Sequence, residues 1–312
     1  MKRKILVTGG AGNVGGSLAR RLVENEDNFV VIIDNLLTGS IDKLPKDDYK
    51  NWKFINANVN IISDVSEIMT SFSFDYVYHY AAVVGVQRTL ENPRMVLDDI
   101  EGIKNILDLS KNTGVTRVFF SSSSEVYGEP VEIPQVEDTT PLNSRLPYAI
   151  VKNVSEAFCR SYFQEFGLHY TIFRFFNTYG PLQSDDFVVT KFINLALKNN
   201  DITIYGDGLQ TRTFCFIEDN IDTTIKIMEE DLCINSTVNI GSEITVTMEE
   251  LADMIINIAG SNSNKIYLPP LKEGDMRRRK PDIKKMKKVL NRELVTLESG
   301  IVRTMDYIKR NL

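Results

Sequence analysis

A chain of 312 residues with 43% hydrophobic and 25% charged residues is large enough for one big globular domain or two unequal ones. Its net charge of −6 argues against a general nucleic-acid surface, and no apolar run reaches the length that spans a bilayer. The 3 cysteines, Cys159, Cys215 and Cys233, lie in no ligand spacing and read as reduced core thiols. His79 and His169 each stand beside a tyrosine in a predicted strand, where a core or strand-end role suits them better than metal ligation, so no metal site is expected.

Met1-Lys2-Arg3-Lys4 resembles the start of a signal peptide, but the apolar run after it stops at Val7, and a cytoplasmic protein is expected. That run, Ile5–Val7, reads as a buried strand leading into glycines at 9, 12 and 15 and an amphipathic helix near 14–24. Gly9 permits a tight turn, Gly12 lets backbone approach a diphosphate, and Gly15 lets helix and strand pack closely. The amino terminus of the helix then offers free N–H groups to phosphates. The next predicted strand, Phe29–Ile33, ends in Asp34, the offset at which an acid takes a ribose 2′-hydroxyl. With an acid there and no neighbouring arginine, a dinucleotide site should prefer NAD over NADP.

Further predicted strands are Trp52–Asn56, Tyr76–Tyr80, Arg117–Ser121 and Tyr170–Phe175. Helical patterns lie near 63–71, 93–111 and 148–166, with Pro93 and Gly114 as start and stop signals. This alternation predicts an α/β fold, a Rossmann doubly wound parallel sheet with its ligand at the carboxyl ends of the strands. After Asn177 the rhythm breaks into shorter elements with Pro181, Gly206, Gly208 and Pro269-Pro270. Residues 1–176 are therefore expected to bind the dinucleotide and carry the chemistry, and residues 177–312 to form a smaller, mainly substrate-binding lobe.

The chemistry is expected at Tyr148 and Lys152, four apart on one face of a helix. The ammonium favours the phenolate and should bring the tyrosine pKa down towards the working pH, where a general base is useful. Ser123 or Ser124, at the end of a predicted strand, could hold the same substrate hydroxyl. Together they make the set that hydride abstraction from an alcohol needs.

Thr8-Gly9-Gly10-Ala11-Gly12-Asn13-Val14-Gly15, Asp34-Asn35-Leu36-Leu37-Thr38-Gly39, the Tyr148/Lys152 pair and Arg174-Phe175-Phe176-Asn177-Thr178-Tyr179-Gly180-Pro181 together resemble the extended short-chain dehydrogenases/reductases. More narrowly, residues 1 to about 290 are similar to the nucleotide-sugar epimerases, dehydratases and decarboxylases. The resemblance implies a resident NAD held by Gly9, Gly12, Asn13, Val14 and Gly15, by Asp34, Asn35, Thr38 and Gly39, by Asn58, Val59 and Ala81, and by Tyr148 and Lys152. It implies that Tyr148 takes a proton, Lys152 binds the nicotinamide ribose and tunes the tyrosine, and Ser123 orients the sugar. The implied first step is oxidation at C4 to a 4-keto sugar nucleotide.

Subfamilies differ in the fate of that 4-keto species. Ser123-Ser124-Glu125 stands where the 4,6-dehydratases have Thr-Asp-Glu, and Ser124 is a poor proton donor for dehydration. Glu125 could act near C5 or be a buried structural carboxylate. The pattern resembles the Thr-Ser-Glu of UDP-glucuronate decarboxylases, as do Arg145, Gly206-Asp207-Gly208-Leu209-Gln210-Thr211-Arg212-Thr213-Phe214 and Arg279-Lys280-Pro281-Asp282. Those enzymes carry an arginine in the place of Phe187, whereas the segment from Ala81 through Val86 to Pro93 looks like the 4-epimerases. Two departures from the family are Asn58-Val59, where an Asp-hydrophobe pair usually meets adenine, and Asp99, where an asparagine is usual. An asparagine amide oxygen at 58 can still accept from the adenine amino group.

Val86, Asn177, Arg212, Arg279 and Arg145 are the expected substrate contacts. Arg212 has the better claim on a diphosphate, and Arg279, in the Arg277–Lys280 run, reaches either diphosphate or carboxylate. C4 epimerisation is the leading expected reaction, with decarboxylation of a uronic sugar next and release of the 4-keto product third. A redox-silent NAD-binding regulator is the alternative of another class. Related enzymes pair two helices per subunit into a four-helix bundle. A homodimer is expected accordingly, with apolar outer faces on the helices beginning near Pro93 and Tyr148.

Overall fold

The computed structural model describes residues 2–270 and 278–311. Six strands alternate with helices along the first half of the chain: β1 (Arg3–Thr8), β2 (Asn28–Asp34), β3 (Trp52–Asn56), β4 (Tyr76–His79), β5 (Arg117–Ser123) and β6 (His169–Phe175). A seventh, Ser236–Ile240, joins the edge, and the order is Ser236–Ile240, β6, β5, β4, β1, β2, β3, parallel throughout. Both faces are covered, which is why the central strands are apolar almost without interruption. Side chains alternate between the two layers: Ile5, Val7, Val30 and Ile32 enter one core, and Leu6, Val31 and Ile33 the other.

The covering helices are α1 (Asn13–Leu22), α2 (Ile62–Phe72), α3 (Val86–Glu91), α4 (Pro93–Leu97), α5 (Asp99–Thr113) and α6 (Pro147–Phe166). The single helix predicted near 93–111 is interrupted at Asp98, whose backbone stays helical (φ −64°, ψ −21°). Pro147 opens α6, and left-handed Gly114 and Gly167 end α5 and α6. The strand order reverses at β1 and β4, which leaves a crevice at their carboxyl ends.

Beyond residue 176 the chain forms three short two-stranded sheets and the helices Val188–Leu197, Ile217–Glu229, Met248–Ala259, Lys284–Leu290 and Leu297–Arg310. This part does not stand apart. It supplies the seventh strand of the main sheet, and Ile217–Glu229 packs on α1 while Thr224 O accepts from Tyr78 Oη at 3.2 Å. One buried cluster runs from Ile5 and Leu18 to Ile301 and Met305.

Cys159 and Cys215 are buried, Cys233 is half-buried, and all three are free thiols. Among the described residues no helix is long and apolar enough to cross a membrane. The outer face of α6 is apolar at Ile150 and Val154, and Leu97, at the end of α4, which packs against α6, is exposed as well. The outer face of α5 differs from expectation, because it carries the ion pairs Glu101–Lys104 and Asp108–Lys111.

Candidate active site

The crevice is built for close approach. Gly9 has φ +67°, and a Cβ there would lie 2.7 Å from the Ala81 backbone; one on Gly15 would meet Gly9 O at 2.3 Å. Gly12 caps α1 without a side-chain hydrogen bond, so the first N–H groups of the helix at Asn13 and Val14 face the crevice mouth uncapped by the chain itself. Thr8 is the hub at the base. Its Oγ1 accepts from Tyr80 N (3.1 Å) and Ala81 N (3.0 Å) and pairs with His79 Nδ1 at 2.9 Å. Sequence reading quoted Thr8 without giving it a role, although a hydroxyl at a strand end directly before a glycine turn is the available signal. His79 is buried and its pKa is pushed down to about 3 by burial and by Lys152, so it is a neutral structural imidazole.

Asp34 ends β2 where expected. Its Oδ2 accepts from Ala11 N at 3.0 Å and its Oδ1 from Leu36 N at 2.8 Å, so the acid also knits the glycine loop to the next turn. Gly39 lies against it, for a Cβ there would sit 2.8 Å from Asp34 Oδ1. Asn35 Oδ1 accepts from Leu37 N at 3.0 Å, and Thr38 is half-buried beside Gly39. Asn58 Oδ1 accepts from Asn60 N at 3.1 Å, which leaves a second lone pair for a ligand, and Val59 is buried next to it. A glycine turn packed too closely for side chains at 9 or 15, an uncapped helix terminus and a carboxylate at the second strand end together fit NAD.

The residues expected to transfer protons meet at the end of β5. Tyr148 is the second residue of α6, half-buried against Val83, Val96 and Val151, and Ser123 hydrogen-bonds its side chain. Ser123 Oγ also accepts from Glu125 N at 3.2 Å. Ser124 is buried in the turn after β5. Ser122 points to the other face of the sheet and donates to Glu156 Oε1 at 2.6 Å, within the buried Arg174–Glu156 ion pair. It is therefore committed elsewhere and cannot replace Ser123.

Lys152 is buried, and its Nζ donates to Ser121 O at 2.7 Å. Burial lowers its pKa to about 8, against the opposing pull of Asp99. The expected acidification of the tyrosine is not what the protein alone provides. Burial raises the Tyr148 pKa, the charge on Glu125 raises it further, and the Ser123 hydrogen bond opposes them. The reason is geometric: Lys152 Nζ is turned to the β5 backbone and lies 5.9 Å from the centre of the phenol ring.

Glu125 and Arg279 form an ion pair whose charges reach Tyr148. Arg279 Nη2 lies 2.6 Å from Glu125 Oε1, and the Arg279 side chain is 6% exposed. Among the described residues Glu125 Oε2 and Arg279 Nε have no hydrogen-bond partner. Both charges act on Tyr148, in opposite directions. Arg279 thus lies close enough to Tyr148 for its charge to act on the phenol. Arg277, in the same basic run, lies outside the described residues.

The other expected contacts are more dispersed. Asn177, with φ +37°, donates from Nδ2 to Thr213 O at 2.9 Å and so ties the end of β6 to the strand carrying Arg212. Arg212 is buried, with Nη1 donating to Thr211 O at 2.8 Å. Arg145 is exposed on the loop before α6. Val86 begins α3, and its side chain lies outside those described. Arg88, on the same short helix, pairs with Asp186 at 3.1 Å, a link that no sequence spacing announces.

The model of the NAD dependent epimerase/dehydratase family matches residues 5–241. The chain belongs to this family. It is 36% identical over 306 residues to UDP-glucuronic acid decarboxylase 5 of Arabidopsis thaliana, covering 96% of this chain and 87% of that one. Among solved structures it is similar to the UDP-glucose 4-epimerase of Thermotoga maritima with UDP-glucose, at a TM-score of 0.92 and 30% identity over 99% of both chains. It is also similar to a UDP-glucuronic acid 4-epimerase of Bacillus cereus solved with NAD, at a TM-score of 0.90 and 29% identity over 99% of this chain and 100% of that one. The family is one of NAD-dependent enzymes acting on nucleotide sugars, with NAD as the cofactor of this chain.

Proposed function

We propose that this enzyme oxidises C4 of a nucleotide-linked uronic sugar and then releases the carboxyl group on C5 as carbon dioxide. The observation that carries this reading is Arg279, buried beside Tyr148 and paired with Glu125. Inversion at C4 needs a base, an oriented hydroxyl and a hydride carrier. A guanidinium fork at the reacting end suits a carboxylate. Sequence puts epimerisation first; the position of Arg279 supports the opposite order.

When bound, NAD would supply the hydride acceptor for oxidation at C4 and the hydride for the later reduction. Every other part falls to the chain. Ser123 orients the C4 hydroxyl, Tyr148 takes its proton, and Lys152 holds the cofactor ribose and the β5 end. The resulting 4-keto acid has its carboxyl one carbon from the ketone-bearing carbon, so the C5–C6 bond breaks with its electron pair moving to O4. A phenol whose pKa is raised keeps its proton and donates a hydrogen bond to that enolate oxygen. C5 then takes a proton, the ketone is reduced, and Tyr148 returns its proton to O4. Asn177 and Arg212 anchor the nucleotide diphosphate, with Arg145 and the Val86 segment at the rim. In this scheme residues 1–176 bind NAD and react, and the remainder mainly holds the sugar nucleotide.

Epimerisation at C4 is the second reading, supported by Phe187 in the place of an arginine and by the epimerase-like segment 81–93. Release of the 4-keto sugar would make a net dehydrogenase. A redox-silent regulator has no use for Tyr148, Lys152 and Ser123 together. Incubation with UDP-glucuronic acid and mass spectrometry of products tests the order. Carbon dioxide with a UDP-pentose is expected, and a product of unchanged mass with C4 inverted would overturn decarboxylation in favour of the epimerase.

A further inference from the structure

Behind Tyr148 the protein encloses a cavity of about 10 Å³, the room of one water molecule, lined by His79, Asp99, Tyr148, Lys152 and Ser155 among others. Asp99 is the first residue of α5, where the helix terminus favours a negative charge. Its carboxylate is fixed by two bonds, Oδ2 accepting from Val83 N at 2.7 Å and Oδ1 from Asn60 Nδ2 at 3.3 Å. Those bonds aim it into the cavity that also receives Lys152, a buried ammonium whose nearest acceptor is the neutral Ser121 carbonyl.

We propose that Asp99 is the counter-ion of Lys152, a positioning residue that keeps the lysine charged inside the protein. A buried ammonium needs compensation, or it gives up its proton. Of the groups that act on Lys152, the buried Cys159 thiol is kept neutral by burial, which leaves one source of negative charge. His79 from β4 is neutral, Ser155 and Tyr148 from α6 are uncharged as they stand, and Asn60 and Val83 contribute only dipoles. Asp98, next along the helix, is exposed and acts on Asp99 as a like charge. In keeping with the pairing, Asp99 opposes the burial that lowers the Lys152 pKa, and Lys152 opposes the burial that raises that of Asp99. An asparagine at this place would keep one oxygen to accept from Val83 N, would meet Asn60 only if the Asn60 amide turned over to accept, and would supply no charge. With Asp99 where an asparagine is usual, this chain therefore has its own means of keeping the lysine protonated. The pairing stands without the proposed reaction, which it would serve by holding Lys152 charged beside the cofactor ribose.

The test is carbon and nitrogen NMR of protein labelled in lysine and aspartate, without NAD or sugar, with Lys152 assigned from the signal lost in Lys152→Met. In the unmutated protein Lys152 is expected to titrate near pH 8. In Asp99→Asn the midpoint should fall by about one pH unit or more, giving roughly tenfold more neutral amine at a given pH below it. Asp98→Asn should leave it where it was. A Lys152 midpoint in Asp99→Asn indistinguishable from the unmutated protein would overturn the proposal. Should Asp99→Asn not fold, the unmutated protein still decides. The Asp99 carboxyl signal must show a second step at the Lys152 midpoint, and a flat signal there would end the idea. Because no turnover is read, failure here is separate from failure of the decarboxylase reading, which product analysis judges.

Discussion

Glu125 Oε1 and Arg279 Nη2 lie 2.6 Å apart although 154 residues separate them in sequence, and they meet beside the phenol of Tyr148. The pair joins the strand end where the proton chemistry is proposed to the far part of the chain. It also leaves one carboxylate oxygen and one guanidinium N–H without partners among the described residues, so the pair has bonding capacity left for a substrate.

Arg279→Met removes one partner of a buried ion pair and strands Glu125. A loss of stability of about 3 kcal/mol is expected in denaturant melts, since an uncompensated buried charge costs that order. Combining it with Glu125→Gln should recover much of the loss. A single variant as stable as the parent would show that the pair is more hydrated than its burial implies. In turnover, Arg279→Met should harm a carboxylated sugar far more than a neutral one.

Tyr148→Phe keeps the ring and removes the proton acceptor. NAD and substrate should still bind, while formation of bound NADH in a single turnover should fall by on the order of a hundred to ten thousand-fold. Ser123→Ala should cost less, with Ser124 the available substitute, as Ser122 is tied to Glu156. Near-normal NADH absorbance in Tyr148→Phe would assign the proton to another residue.

Hydride transfer needs the phenolate of Tyr148 and the ammonium of Lys152 together. The phenol pKa is raised, so its phenolate fraction climbs with pH across the neutral range, while Lys152 loses its charge above about 8. The product of the two fractions should grow about tenfold per pH unit up to that point and then level off, which kcat/KM against pH records. A break far from pH 8 would mean that another group controls the profile. Lys152→Met should abolish the break and weaken NAD.

Asp34→Arg should weaken NAD and admit NADP, as isothermal calorimetry with both cofactors would register. The structure adds a second effect. The carboxylate accepts from Ala11 N and Leu36 N, so its loss frees two loop donors and should destabilise the cofactor-free protein by roughly 1–3 kcal/mol. Calorimetry that found NADP preferred by the unmutated protein would refute this assignment.

Assembly as a homodimer is expected through the α6 face at Ile150 and Val154, with Leu97 exposed on the adjoining α4. The charged outer face of α5 would then form a polar part of the interface or its rim. Light scattering at micromolar concentration should give twice the chain mass, and Val154→Asp should shift it towards one. A monomer for the unmutated protein would remove the prediction.

Whatever depends on neighbours along the chain could be read from sequence. Apolar runs at strand length placed β1 to β6 to within a few residues, glycines at 9, 12 and 15 marked the crevice, and the four-residue step from Tyr148 put Lys152 on the same helix face. Local geometry obeys local steric and periodic rules, so those features carry their own signals. Charge balance inside the pocket does not. Whether Lys152 acidifies Tyr148 depends on where its Nζ turns, and only packing sends it to Ser121 O and sets burial against it. The meeting of Glu125 with Arg279, the joining of Ser236–Ile240 to β6 and the facing of Asp99 and Lys152 across one small cavity are likewise decided by tertiary structure. Electrostatic energies fall off with distance in space and with the surrounding dielectric, and sequence separation records neither.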